Sequence, residues 1–86
     1  MTYTIEIARP AQRQLKKLDP VARKKISRRI DRLTEDPRPH GVVKLTDASP
    51  PLYRVREGQY RVLYTINDDK LIVLVIRIGH RSEVYR

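Results

Sequence analysis

The 86-residue chain contains no cysteine, which excludes disulfide bonds and thiolate metal sites. The hydrophobic core must therefore stabilise the fold unaided, in a chain long enough for one domain over residues 1–86. Long apolar runs are also missing, since the longest run, residues 71–76, cannot span a bilayer. The amino terminus has neither the basic start nor the apolar stretch of a signal peptide. We therefore expect a cytoplasmic protein without a membrane partner.

Negative charge is scarce as well, because 10 Asp and Glu accompany 19 Lys and Arg, for a net charge of +9. Residues 1–36 hold 10 basic and 5 acidic residues, and residues 37–86 hold 9 and 5. A detachable basic tail is thus excluded, and the folded body itself must be positive. Such a charge favours a polyanionic partner, most simply nucleic acid. An acidic membrane surface and an acidic protein are the alternatives.

Motifs for metal, nucleotide and Ser–His–Asp chemistry are absent from the sequence. No group of Asp, Glu and His has the spacing of metal ligands, and Asp68-Asp69 is typical of a turn. There is no glycine-rich loop of the kind that binds phosphates. We therefore predict a protein with no cofactor and no metal.

The hydrophobic periodicity predicts an α+β fold with the element order β-α-α-β-β-β-β. Alternation over residues 3–7 predicts a strand, and apolar positions spaced for one helical face over residues 8–18 predict a helix. Asp19 as N-cap and Pro20 at the first helical position begin a second helix, which ends before Pro37. The helical hairpin is followed by a mainly antiparallel sheet with strands at 42–46, 52–57, 60–67 and 71–78. The last strand is apolar on both faces, which predicts a central strand covered on both sides.

A two-residue turn predicted at Gly58-Gln59 fixes the register of a hairpin in this sheet. The residues of one face pack on the helices: Tyr53, Val55, Tyr60, Val62 and Tyr64. The other face carries Arg54, Arg56 and Arg61, with Arg56 directly opposite Arg61. Like charges in facing positions repel, and an anionic ligand would relieve the repulsion. The alternative is that nearby carboxylates neutralise the cluster: Glu57, Glu83 or Asp47.

Basic residues also line the outer faces of both predicted helices. The second helix carries a stripe away from its apolar face: Lys24, Lys25, Arg28 and Arg32. The first helix carries a similar set: Arg9, Arg13, Lys16 and Lys17. These residues form either an ordinary solvated surface or a track for RNA phosphates. Together with Lys44, Arg54 and Arg56, the stripe of the second helix is our predicted RNA-binding set.

The ending IGHRSEVYR follows the last strand and is predicted to bring His80, Arg81 and Tyr85 over the arginine cluster. RNA supplies its own nucleophile, since the ribose 2′-OH can attack the neighbouring phosphate. That reaction needs a proton acceptor, positive charge for the phosphorane, and an acid for the departing 5′-oxygen. Guanidinium groups suit the second task, and Tyr85 or His80 could transfer protons. Taken singly, either residue has a structural role as its alternative.

Three segments together resemble the RelE branch of the RelE/ParE toxins: Tyr53-Arg-Val-Arg, Tyr60-Arg-Val-Leu-Tyr64 and the stretch from Val75 to Tyr85. The resemblance covers essentially the whole chain. It implies a RelE-like fold and a toxin of a type II toxin–antitoxin system, with a RelB-like antitoxin as partner. It also implies entry into the ribosomal A site and metal-free cleavage of messenger RNA there. The positions that match the family's active site are Arg54, Arg56, Arg61, Arg81 and Tyr85.

The family often has lysines where Arg54 and Arg56 stand, and an arginine effectively cannot exchange protons. Proton transfer then falls to Tyr85, His80 or the RNA itself. Two other functions stay open at this stage. One is a ParE-like toxin that inhibits DNA gyrase without catalysis, and the other is a basic RNA-binding module.

Overall fold

A computed structural model describes residues 2–80, which form two helices and one five-stranded sheet. The elements are β1 (Thr4–Ile7), α1 (Arg9–Lys17), α2 (Pro20–Asp31), β2 (Val43–Lys44), β3 (Tyr53–Glu57), β4 (Tyr60–Asn67) and β5 (Ile72–His80). A 3₁₀ turn, Arg32–Thr34, continues α2. The predicted element order is confirmed, although α2 ends earlier and β2 is shorter than the sequence pattern indicated.

The sheet has the strand order β1-β5-β4-β3-β2. β1 runs parallel to β5, and all other neighbours are antiparallel. β4 lies at the centre, hydrogen-bonded to β3 on one side and β5 on the other. The prediction of a mainly antiparallel sheet is confirmed, with β1 as the one parallel strand in the described part of the chain.

The two helices are joined by a capped corner. The Asp19 carboxylate accepts a hydrogen bond from the Ala22 amide at 2.9 Å, and Pro20 occupies the first turn of α2. The Arg23 guanidinium donates to the Leu18 carbonyl at 3.0 Å, which ties α2 back to the end of α1. The predicted start of the second helix at Asp19-Pro20 is therefore confirmed.

The hydrophobic core lies between the helices and one face of the sheet. Helix residues Ala11, Ile26 and Ile30 pack there against strand residues of β3, β4 and β5. The predicted core face is confirmed by its buried members: Tyr53, Val55, Val62 and Tyr64, with Tyr60 half-buried beside them. Both helices cover this same face, which we call the covered face; the opposite side is the open face.

The prediction that the last strand is covered on both sides is wrong for the part of the chain that the structure describes. On the covered face of β5, Val73 and Val75 are completely buried. On the open face, Leu74 is only half-buried and Ile76 is 37% exposed. The reason is that α1 and α2 both pack on the covered face, and residues 2–80 place no helix on the other.

A β-bulge in β5 changes which side chains reach the open face. Leu63 pairs with Arg77 and Tyr64 pairs with Val75, so Ile76 is an extra residue between two consecutive pairs. Beyond the bulge the alternation shifts by one position. Ile78 is therefore buried on the covered face like Val75, while Arg77 joins the open face.

Polar contacts tie the segment after α2 to the far end of the sheet. The Tyr64 hydroxyl donates to the Pro37 carbonyl at 2.7 Å, and burial raises the pKa of Tyr64. The Arg38 guanidinium forms an ion pair with Asp68 at 2.9 Å, and the Tyr3 hydroxyl donates to the same carboxylate at 2.7 Å. The Arg38 hydrogen bonds, and then that from Tyr3, lower the pKa of Asp68 to about 2.

None of the helices in residues 2–80 is both long and apolar enough to cross a membrane.

Candidate functional site

Four arginines lie on the open face in two rows that cross the central strands. Partners in register form the rows: Arg54, Leu63 and Arg77, and then Arg56, Arg61 and Gly79. Neighbouring strands are about 4.8 Å apart and successive same-face residues about 7 Å apart along a strand. Four guanidinium groups therefore arise from a patch of backbone roughly 10 Å by 7 Å. We call Arg54, Arg56, Arg61 and Arg77 the arginine face.

The predicted register of the hairpin is confirmed, and it places Arg56 directly opposite Arg61. Gly58 supplies the turn between them with a φ of +60°, a conformation that residues with a Cβ rarely adopt. Arg56 is exposed and Arg61 is half-buried. Like charges in facing positions of a sheet repel each other, and an anionic ligand would reduce that repulsion.

Leu63 forms the apolar floor between the first-row arginines. It is only 6% exposed although it points away from the main core. Arg54 and Arg77 flank it on the two neighbouring strands, where their aliphatic stems can cover it while the guanidinium groups reach outward. A buried leucine flanked by arginines excludes water from beneath the guanidinium groups. Electrostatic contacts between these groups and a ligand are strengthened there.

Two of the carboxylates that we considered as neutralising partners pair with other cations. Glu57 follows Arg56 by one residue and so points to the covered face, where it lies 3.5 Å from Arg32. Asp47 lies 3.5 Å from the Lys44 ammonium. Glu83 lies outside the described residues.

The structure corrects the predicted position of His80. β5 extends to His80, which therefore lies in the strand rather than beyond it. Its partner across the ladder is Tyr60, a covered-face residue, and the two rings meet edge-to-face with centroids 5.9 Å apart. His80 thus belongs to the covered side of the sheet and is separated from the arginine face by the sheet itself. Arg81 and Tyr85, the other predicted residues of this segment, lie outside the described residues.

Lys44, a member of our predicted RNA-binding set, lies on the other side of the sheet from the arginine face. Val43 pairs with Arg54, and Lys44 pairs with Tyr53. Since adjacent residues of a strand point to opposite faces, Lys44 shares the side of Tyr53. Its exposed ammonium contacts Asp47 instead.

The basic stripe of the second helix forms a separate surface. Lys25, Arg28 and Arg32 line a shallow depression beside Glu57, and Lys24 is exposed nearby. Because α2 lies on the covered face, the sheet separates this stripe from the arginine face. Within residues 2–80, Lys24, Lys25 and Arg28 form no ion pair, whereas Arg32 pairs with Glu57.

Two arginines at the site were missed by sequence reasoning. Arg77 reaches the open face because of the bulge at Ile76, and strict alternation along the strand gives no sign of that bulge. Arg29 donates from its Nε to the Arg56 carbonyl at 3.2 Å, which holds helix α2 against the edge of β3. This contact fixes the backbone that carries Arg56, and only the tertiary structure reveals it.

In the part of the chain that the structure describes, no group of three or more His, Asp and Glu side chains is placed to hold a metal ion. What the open face does offer is a concentration of permanent positive charge on a rigid sheet. Guanidinium groups donate paired hydrogen bonds to phosphate oxygens and do not lose their charge at any physiological pH. The arrangement can therefore bind a phosphate group and stabilise additional negative charge on it.

Comparison with known proteins identifies the family. Residues 5–85 match the family described as the ParE toxin of the type II toxin–antitoxin system parDE. The chain belongs to this toxin family. It is 31% identical over 87 residues to toxin RelG of Mycobacterium tuberculosis, covering 100% of this chain and 99% of that protein. It is 29% identical over 89 residues to the mRNA interferase toxin RelE of Escherichia coli, covering 99% and 92%.

Among solved structures, this RelE/ParE toxin is similar to the toxin in the archaeal RelE–RelB complex from Pyrococcus horikoshii OT3. The TM-score is 0.84 at 27% sequence identity, with 98% of this chain and 100% of that chain covered. The predicted RelE-like fold is therefore confirmed. So is the identification of the chain as a RelE/ParE toxin from its strand and carboxyl-terminal segments.

Proposed function

We propose that this RelE/ParE toxin is a ribosome-dependent messenger-RNA endonuclease of the cytoplasm. The observation that carries the proposal is the facing pair Arg56 and Arg61, which stands with Arg54 and Arg77 on the open side of the sheet. A scissile phosphodiester would relieve the repulsion of these groups and gain charge-assisted hydrogen bonds from them. The similarity to the E. coli protein named mRNA interferase toxin RelE supports the same reaction class.

The proposed reaction uses the RNA's own 2′-hydroxyl. Its oxygen forms a bond to the adjacent phosphorus while its proton passes to an acceptor. The bond from phosphorus to the 5′-oxygen then breaks, and that oxygen takes up a proton as it leaves. The products are a 2′,3′-cyclic phosphate and a 5′-hydroxyl end. Arg56 and Arg61 stabilise the negative charge that accumulates on the phosphorane oxygens.

Proton transfer needs a group other than these arginines, since a guanidinium stays protonated. Tyr85 is the proposed proton-transfer residue, and Arg81 is proposed as a further phosphate ligand. Positive charge near a tyrosine lowers the pKa of its hydroxyl, which would make it a better acceptor. His80 is not assigned this role, because it faces Tyr60 on the covered side of the sheet.

The basic stripe of α2 supplies a second RNA contact in this proposal. Lys24, Lys25 and Arg28 are exposed and point away from the arginine face. A ribosomal partner offers RNA phosphates on several sides of the bound toxin, so the two positive surfaces can bind different RNA segments at once. Binding of this kind weakens strongly as the salt concentration rises.

The proposed partner that silences the toxin is a RelB-like antitoxin. The Pyrococcus horikoshii toxin to which the chain is similar was solved in a complex with RelB. With a net charge of +9, this toxin would attract an acidic segment. Such a segment over the arginine face would exclude RNA phosphates from it.

Primer extension on messages from cells that express the chain tests the function. We expect breaks at codon positions inside translated regions and none in untranslated ones. Arg61→Ala should lower cleavage by about 100- to 1000-fold, the usual cost of losing one group that stabilises the transition state. Arg13→Ala, on the outer face of α1, is the matched control and should keep full cleavage. Full cleavage by a correctly folded Arg61→Ala variant would contradict the mechanism.

A second function is favoured by one observation, the description of the matching family as ParE toxin. A ParE-like toxin would inhibit DNA gyrase by binding, without cleaving RNA. A DNA-supercoiling assay with purified gyrase distinguishes the two functions. Inhibition of supercoiling together with intact messages would replace the nuclease proposal.

A further inference from the structure

The open face does not end at the arginine face. Along β4 and β5 it continues into a trough of different character, which also reaches β1 and the loop before β3. The trough is lined by residues that include Glu6, Ser49, Pro50, Thr65, Ile72 and Leu74. The arginine face and the trough together form one surface on the sheet.

The floor of the trough is apolar and its rim is polar. Leu74, Ile72 and Thr65 are half-buried, while Glu6 and Pro50 at the sides are exposed. In the described part of the chain Glu6 forms no ion pair. At the end of β4 the rim also includes Asn67, Asp68, Asp69 and Lys70. An apolar floor inside a polar rim can hold a flat organic group and bind its edge by hydrogen bonds.

The trough begins at a distance from the arginine face that is about the length of one nucleotide. Leu63 pairs with Arg77, and two residues further along β4 Thr65 pairs with Leu74, which is about 7 Å away. Glu6 pairs with Leu74 on the next strand, about 4.8 Å further across the sheet. Arg77 therefore stands at the boundary, between the phosphate-binding arginines and the trough.

The sign of the charge changes across this boundary, and that change selects the ligand. The arginines attract phosphate, whereas Glu6 would repel a phosphate but accept hydrogen bonds from amino groups. A nucleotide has both parts, a phosphate at one end and a flat base with donor groups at the other. RNA strands are commonly recognised through unpaired bases that lie against a side-chain surface and are hydrogen-bonded at their edges.

We propose that Arg77 and this trough form a subsite for one unpaired nucleotide adjacent to the scissile phosphate. The subsite rests on the proposed nuclease function and extends it to recognition of a base. Arg77 binds the phosphate of this nucleotide, and its base lies over Leu74 and Thr65. The Glu6 carboxylate accepts a hydrogen bond from an amino group of the base, which favours adenine, cytosine and guanine over uracil.

Binding of a non-cleavable RNA tests the subsite independently of cleavage. The probe is a short single-stranded oligonucleotide with a 2′-deoxy sugar at the cleavage position and one variable base beside it. Affinities are measured with the full chain at several salt concentrations. We expect the wild-type protein to bind the uracil probe about fivefold more weakly than the best of the other three, as for one lost hydrogen bond.

Arg77→Gln should weaken the binding of all four probes alike, by about fivefold or more, because phosphate contacts carry no sequence information. It should also reduce the salt dependence of log K by about 0.7, the value for one single-strand phosphate contact. Arg13→Gln is the matched control, with the same change of charge on the opposite side of the molecule. An equal effect of the two variants would overturn the role of Arg77.

Glu6→Gln should abolish the discrimination against uracil and leave the salt dependence unchanged. Glu35→Gln removes one negative charge from an exposed position elsewhere and should preserve the discrimination. Unchanged base preference in Glu6→Gln, or no binding of any probe by the wild-type protein at low salt, would overturn the subsite. Base-selective binding without cleavage of any message would instead uphold the subsite and overturn the nuclease function.

Discussion

The two faces of β3, β4 and β5 are made from the same three strands and have opposite properties. The covered face carries Val55, Val62 and Val75, each completely buried beneath the helices. The open face carries four arginines around one buried leucine, Leu63. Alternation along a strand makes this possible, because neighbouring residues belong to different faces.

The comparison shows where the stability of this protein comes from and where it does not. Burial of apolar side chains on the covered face supplies the free energy of folding. The open face instead holds like charges in facing positions, where they repel one another. Four arginines gathered on one side of the sheet are best explained by an anionic ligand that they bind.

Truncation on the covered face should give the largest loss of stability. Ile26→Ala removes a completely buried side chain from the centre of the core. We expect the free energy of unfolding to fall by about 2–5 kcal/mol, measured by urea denaturation. Val21→Ala, at a 66% exposed position of the same helix, should change it by less than about 0.5 kcal/mol. Equal losses in the two variants would contradict the assignment of the core.

Removing a buried polar contact of the covered face should cause a smaller loss of stability than truncation of the core. Tyr64→Phe removes the hydroxyl that donates to the Pro37 carbonyl and leaves that carbonyl without its partner. The free energy of unfolding should fall by about 1–3 kcal/mol. Tyr3→Phe removes an exposed hydroxyl that donates to Asp68, so its effect should be smaller. A larger loss of stability in Tyr3→Phe than in Tyr64→Phe would contradict this expectation.

On the open face, a substitution should raise the free energy of unfolding rather than lower it. Arg56→Gln removes one of two facing charges, so we expect a gain in stability of about 0.2–1 kcal/mol together with a loss of RNA cleavage. Arg28→Gln, on the outer face of α2, should leave stability within about 0.5 kcal/mol of the wild type. Thermal unfolding and the primer-extension assay measure the two properties. Destabilisation by Arg56→Gln would mean that this face contributes to folding after all.

The smallest effect concerns pH and the ion pair between Arg38 and Asp68. The pKa of Asp68 is about 2 in the folded protein, below the value near 3.9 of an unfolded chain. The ionised carboxylate therefore stabilises the fold above about pH 4, and this contribution is lost as the pH falls towards 2. Because the pair is partly exposed, it should amount to less than about 1 kcal/mol.

Urea denaturation of the wild type and Asp68→Asn from pH 7 to pH 2 measures this contribution. The difference between the two proteins should be largest at neutral pH and shrink below pH 4. A difference that stays constant down to pH 2 would contradict the lowered pKa of Asp68.

Much of the fold was predictable from the sequence because its signals are local. Asp19-Pro20 marks the start of α2 by its capping chemistry. Gly58 marks the hairpin turn because glycine readily adopts the positive φ that the turn requires, and the structure shows that φ. With the turn placed, pairing of Arg56 with Arg61 follows by counting outward. Three of the four residues of the arginine face were therefore predicted from the sequence.

The errors arose where position depends on partners distant in the chain. Whether the last strand is covered on one side or two depends on where α1 and α2 pack. The length of β5 depends on its pairing with β4, and that pairing moved His80 to the side of Tyr60.

The extra residue at Ile76 sets which side chains the end of β5 presents to each face. A regular strand with the same residues but no bulge would turn Arg77 towards the helices and Ile78 towards the open face. A guanidinium would then enter the hydrophobic interior. Deleting Ile76 itself would instead leave Val75 and Arg77 adjacent and on opposite faces, as they are in the structure. The bulge is therefore a point in β5 where evolution could remove one residue without exchanging the hydrophobic and charged sides of the strand.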